Sequence, residues 1–219
     1  RQFRQVVGLK EDDVFILQPT RVVARKGIEH AVELVRRMRR DNARLVISHA
    51  SGDEGDAYQQ RIVDYAELMG VELLFVDRWI AEQRGTDDDG RQLFTLADVF
   101  SQADMVSYPS EYEGCGNAFL EAIYHKQPVV CNLYVMYRMD IEPCGFQSIV
   151  FDGFLTDSTV EQVNRILDDR QIRQEMVDHN YQVAAEFFSY EVLEAELRLM
   201  VERPQNIYRL LGRGRHTAR

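Results

Sequence analysis

Asp104-Met105-Val106-Ser107-Tyr108-Pro109-Ser110-Glu111-Tyr112-Glu113-Gly114-Cys115-Gly116-Asn117-Ala118-Phe119-Leu120-Glu121 changes character twice along its length. Asp104 to Tyr108 is a short, largely apolar run closed by a proline, the mark of a strand buried in a sheet. Gly114 and Gly116 then punctuate a turn, and from Asn117 the apolar residues follow helical spacing. Strand, glycine loop and helix in that order aim backbone N–H groups at an anion. Glu113 and Glu121, separated by seven residues, stand on either side of the loop. Their carboxylates are placed to hold hydroxyl groups on both sides of the bound anion. Sugar hydroxyls, a diphosphate and ribose hydroxyls follow one another in this way in a nucleotide sugar.

The same alternation extends outward from this stretch. Short runs rich in Val, Ile, Leu and Phe predict strands at 14–18, 44–48, 72–76, 104–108, 128–131 and 147–151. Helical patterns fall between them near 27–40, 57–69, 93–102, 117–125 and 134–139. Ala31, Val32, Leu34, Val35 and Met38 form one apolar stripe at 3.6-residue spacing. After residue 155 only helical patterns remain, at 157–168, 171–187 and 190–202, the last closed by Pro204. Repeated strand and helix predict an α/β fold with a doubly wound parallel sheet, binding ligands at the carboxyl ends of its strands. We expect a linker over 1–10, one Rossmann-like domain over 11–203 and a disordered basic tail over 204–219.

A second motif lies about ninety residues upstream. Pro19-Thr20-Arg21-Val22-Val23-Ala24-Arg25-Lys26-Gly27 follows the first predicted strand, with Lys26 five positions after Arg21. Together with Pro109-Ser110, Glu113-Gly114-Cys115-Gly116 and Leu120-Glu121-Ala122, it resembles the family 4 retaining glycosyltransferases, which have the GT-B fold. The resemblance runs from about residue 10 to about residue 200. It implies that Arg21 and Lys26 neutralise a nucleoside diphosphate leaving group, the arginine by a planar fork and the lysine as a point charge. It implies that Glu113 accepts hydrogen bonds from the donor sugar and Glu121 clamps the ribose diol. Glu113, Arg21 and Lys26 are then the catalytic residues. Gly114, Cys115, Gly116, Asn117 and Ala118 line the donor, with backbone dipoles at the helix start.

Arg78 or Ile80, in Asp77-Arg78-Trp79-Ile80 after the third strand, is the expected base contact. His49-Ala50-Ser51-Gly52 follows the second strand toward the same cleft, but departs from the glycine-rich turn of the relatives. Cys115 stands where relatives carry phenylalanine or another apolar residue. GT-B enzymes have two Rossmann-like domains, so the chain reads as the carboxy-terminal, donor-binding half, with an amino-terminal acceptor domain as partner. The donor implied is a UDP- or GDP-hexose, with no separate cofactor and an acceptor left open. Two other readings remain: a non-catalytic nucleotide-sugar binding module, and a GT-B type nucleotide-sugar epimerase.

Composition narrows the remaining classes. The chain has 219 residues and a net charge of −10, which argues against nucleic acid or an anionic membrane as the main partner. Arg36-Arg37-Met38-Arg39-Arg40 ends a helical pattern and complements its dipole. No apolar run approaches the roughly 20 residues that span a bilayer, and no signal-peptide pattern opens the chain. Cys115, Cys131 and Cys144 are odd in number and lack CxxC spacing, which fits a reducing cytoplasm. Asp87-Asp88-Asp89 has the Asp-x-Asp spacing that a different glycosyltransferase fold uses for a metal, but reads as a solvated loop. No metal is expected. The five histidines, His30, His49, His125, His179 and His216, form no ligand pair at helical spacing.

Overall fold

Strands buried on both faces organise the molecule. The computed structural model describes residues 2–51, 56–114 and 116–202. In chain order its elements are α1 (Gln2–Val6), β1 (Val14–Gln18), α2 (Ile28–Met38), β2 (Ala43–Ile47), α3 (Ala57–Met69) and β3 (Leu73–Phe75). There follow β4 (Gly85–Thr86), β5 (Gln92–Leu93), α4 (Leu96–Gln102), β6 (Met105–Tyr108), α5 (Asn117–Tyr124) and β7 (Val129–Asn132). The chain continues through β8 (Ile149–Phe151), α6 (Asp157–Asp168), α7 (Arg170–Phe188) and α8 (Tyr190–Glu202). Every strand expected from the apolar runs is present to within two residues at either end.

Six strands form one parallel sheet in the order β3-β2-β1-β6-β7-β8. Successive side chains point to opposite faces, so each strand feeds two cores. Phe15, Leu17, Val46, Val106 and Val129 pack on one face with α4, α5 and α7, while Ile16, Leu45, Ile47, Met105 and Val130 pack on the other with α2, α3 and α6. Each fully buried aliphatic side chain of this kind contributes about 1.5–3 kcal/mol. The apolar stripe of α2 is buried as its spacing requires. The strand order reverses between β1 and β6, which opens a crevice at their carboxyl ends.

Three local features differ from the sequence reading. The first ten residues are more than a linker, because α1 docks on the domain. Phe3 is buried against Phe15 and Phe94, and Arg4 bonds to Asp104 and to the carbonyls of Asp13 and Gln102. Residues 85–93 hold a small antiparallel hairpin, β4–β5, whose two-residue strands are too short to show periodicity. The expected helix at 134–139 is helical from residue 135, but it widens to a π-helical turn over Tyr137–Ile141 and runs on into a 3₁₀ turn at Glu142–Cys144. The predicted disordered tail and Pro204 lie outside the described residues.

Candidate active site

The loops that follow β1 and β6 meet at the strand-order reversal. Gly27, at φ 58°, lies so close to the second loop that a Cβ there would stand 2.6 Å from the Pro109 carbonyl oxygen. Only glycine combines that conformation with that approach. The Glu111 amide also donates to the Arg25 carbonyl, at 3.0 Å. The consequence is chemical: Lys26 Nζ donates to Glu113 Oε1, with both residues buried. Arg25 Nη1 stands 3.6 Å from the other carboxylate oxygen. Tyr108, at the end of β6, also hydrogen-bonds Glu113. Burial, and then the Glu113 charge, hold its phenol well above the usual tyrosine range. Two residues 87 positions apart thus share one charged contact.

Gly116 is the second conformational requirement. At φ 72° it caps α5, and a Cβ would stand 2.6 Å from the Tyr134 hydroxyl. The helix therefore starts where its first amides face the crevice. Asn117 and Ala118, as the first helical residues, have N–H groups without intrahelical acceptors. Glu121 lies one turn into α5, exposed at the rim, and desolvation raises its carboxyl pKa above the ordinary value. Below Gly116 the Tyr134 hydroxyl is buried without a hydrogen-bond partner.

These groups line a single cavity of about 550 Å³. The structure gathers Arg21, Lys26, Glu113, Gly114, Gly116, Asn117, Ala118 and Glu121 there, from segments about ninety residues apart. It does not bring in Arg78 or Ile80. Arg78 stacks on Trp79 with its guanidinium 3.9 Å from the ring centroid, and Ile80 bridges to Phe94. Cys115 and Gly52 lie outside the described residues. His49, whose loop was expected to run toward the same cleft, also lines the cavity, as do Arg25, Leu96 and Tyr108, which the sequence motifs did not single out as ligand contacts. Tyr108 stands at a strand's carboxyl end, the one signal that could have found it.

No group of His, Cys, Asp and Glu is arranged to hold a metal among the described residues. Asp87 closes its own hairpin by accepting from the amides of Asp89 and Arg91 and pairing with the Arg91 side chain. His125 stacks on Phe100, His30 lies against Phe151, and His179 reaches the Gly145 carbonyl.

The family model for glycosyl transferases group 1 matches residues 90–183, which contain the glycine loop and α5. Over that stretch the chain is similar to the group 1 glycosyl transferases. Among curated relatives, mannosylglucosylglycerate synthase of Thermotoga maritima is 27% identical, the match covering 87% of the chain and 49% of the relative. The Petrotoga mobilis enzyme of the same name is 33% identical over 65% of the chain and 36% of its own length. The chain thus spans half or less of these relatives. The fold is Rossmann-like α/β, with GT-B glycosyltransferases as structural neighbours. It superposes on the C-terminal domain of LpcC from Francisella tularensis with a TM-score of 0.64 at 14% identity, covering 85% of this chain and 93% of that one. With Anabaena HepE, solved in complex with UDP, the TM-score is 0.74 at 13% identity, over 92% of this chain and 51% of that one.

Proposed function

We propose that the chain is the donor-binding domain of a retaining, metal-independent hexosyltransferase of glycosyltransferase family 4. Residues 11–203 form this domain, and a UDP- or GDP-hexose occupies the cavity between β1 and β6. The observation that carries the reading is the Lys26–Glu113 contact at the strand-order reversal, with Arg21, the start of α5 and Glu121 around it. HepE, of similar fold, was solved with UDP, which supports a nucleotide donor.

In this reading the two catalytic cations do the electrostatic work. Charge grows on the diphosphate as the glycosidic bond breaks. Arg21 and Lys26, with the Asn117 and Ala118 amides, are fixed where that charge develops. Because these donors are already oriented, little reorganisation is needed during the reaction. Glu113 holds the sugar hydroxyls beside Gly114, Cys115 and Gly116, and Glu121 accepts from the ribose diol. The acceptor binds an amino-terminal domain that completes the enzyme. Among the described residues no helix is long and apolar enough to cross a membrane, and we place the enzyme in the cytoplasm.

A thermal-shift panel of nucleoside diphosphate sugars tests this reading. A ligand that binds only the folded chain stabilises it by about 2.7 kcal/mol at a hundredfold excess over its dissociation constant. No shift from any UDP- or GDP-hexose would remove the donor-binding assignment.

A further inference from the structure

We propose that His49 is a third, titratable cation of the diphosphate site: neutral when the cavity is empty, it takes up a proton as the diphosphate enters and then hydrogen-bonds a phosphate oxygen. The inference deepens the donor-site reading above and rests on it. His49 directly follows Ser48 at the carboxyl end of β2, beside β1 in the sheet, and its side chain lines the same cavity as Arg21 and Lys26. Its Nδ1 lies 2.8 Å from the Ser48 hydroxyl, which orients the ring and leaves Nε2 as the other polar atom. A half-buried imidazole that lines a cavity between two cations is poised to change charge when an anion arrives.

The groups facing His49 set the direction. Arg21 and Lys26 approach from the loop after β1, and Asp77 from the 3₁₀ turn after β3. Arg25, Tyr108, Glu113 and Glu121 line the rest of the cavity, from the β1 loop, β6, the glycine loop and α5. Burial, then Arg21, then Lys26 hold the imidazole below its ordinary range, and Asp77 opposes them only in part. Lys26 is already engaged with Glu113, which leaves part of the diphosphate charge for other donors. Two negative phosphates between these cations reverse the sign of the local field, and the protonated ring becomes the favoured form.

Linkage fixes the sign of the effect. A group whose pKa is higher in the complex favours binding when it is protonated. Affinity is therefore flat above the pKa of the filled state and flat below that of the empty state. Between the two it rises as pH falls, by up to about tenfold per pH unit for a single proton.

The probe is a nucleotide sugar, whose doubly esterified diphosphate carries no proton of its own to exchange near neutrality. UDP-glucose and GDP-mannose are titrated calorimetrically between pH 5.5 and 8 in buffers of differing ionisation enthalpy. The native protein should take up a fraction of a proton approaching one, and His49→Gln should bind with no uptake and no pH slope in this window. The His49 ring resonances of the native protein should show a titration midpoint that moves up on saturation, a readout that needs no variant. Binding without proton uptake, an unmoved midpoint, or a slope that survives in His49→Gln overturns the His49 assignment and leaves the donor site standing. Absence of binding by every nucleotide sugar at every pH overturns both.

Discussion

Gly27 and Pro109 belong to loops far apart in sequence, yet their backbones touch: a Cβ on Gly27 would lie 2.6 Å from the Pro109 carbonyl oxygen. That contact fixes the loop after β1 against the loop after β6, and so places Lys26 on Glu113. A backbone oxygen cannot swing aside as a long side chain would. The glycine is therefore as much a part of the site as the charges it positions.

Gly27→Ala should destabilise the chain by about 2 kcal/mol or more, because left-handed strain of about 1–2 kcal/mol adds to the collision. Gly70 is the internal control: at φ 65° it has the same strain, but nothing stands within 4 Å of a Cβ there. Denaturant unfolding of both variants separates the two effects. Equal midpoints for Gly27→Ala and Gly70→Ala would show that the loop contact is soft.

Lys26→Ala should weaken a UDP- or GDP-hexose by about tenfold to a hundredfold, the range expected from a charged hydrogen bond contributing roughly 1.5–3 kcal/mol. It also strands the buried Glu113 carboxylate, with Arg25 at 3.6 Å as its nearest remaining cation. Breaking a buried pair from one side costs more than removing both partners. Lys26→Ala combined with Glu113→Gln should therefore be more stable than Lys26→Ala alone. Calorimetry for affinity and urea unfolding for stability check the two halves independently. Unchanged affinity in a folded Lys26→Ala would take this residue out of the site.

The sheet was legible because its strands are buried on both faces and read as unbroken apolar runs, as at Met105–Tyr108. The charged contacts were legible only as spacings. Arg21, Lys26, Glu113 and Glu121 stood out by position in two motifs, but nothing local shows that Lys26 reaches Glu113. That contact depends on β1 and β6 being neighbours, a property of topology. Leu96 enters the cavity because Thr95 and Asp98 form a capping box that starts α4 there, later than the apolar pattern beginning at Leu93 suggested. Arg78 was plausible as the residue after a strand end, but its guanidinium instead rests on its neighbour Trp79.

Asp98 should give the chain an acid-sensitive component of stability. The Arg84 guanidinium, then the Thr95 amide and hydroxyl, hold its carboxyl well below the usual range against the opposing effect of burial. A depressed folded-state pKa contributes stability that is fully present above the unfolded value, about 3.9, and is lost as pH falls through the folded value. Asp98→Asn should thus cost about 1 kcal/mol at neutral pH, in line with loss of a helix cap. Its deficit should shrink in unfolding curves taken below about pH 4. Arg84 is largely exposed, so solvent screens its pair and Arg84→Ala should cost little. A deficit that stays constant down to pH 2 would mean that the carboxylate charge is irrelevant.

The two glutamates of the glycine loop should divide the donor between them. Glu113 is buried and already accepts from Lys26 and Tyr108, whereas Glu121 is exposed one turn into α5. Free UDP contains the ribose and diphosphate but no hexose. Glu121→Gln should therefore weaken UDP and UDP-hexose alike, by about tenfold if one charged hydrogen bond is lost. Glu113→Gln removes a sugar acceptor, but it also releases Lys26 from its carboxylate, and the freed ammonium can turn to the diphosphate. Free UDP should then bind as well as before or more tightly, while the added affinity of the hexose disappears. Calorimetry of both ligands on both variants reads the difference directly. If Glu113→Gln lost free UDP as severely as Glu121→Gln, the assignment of Glu113 to the sugar and Glu121 to the ribose would fall.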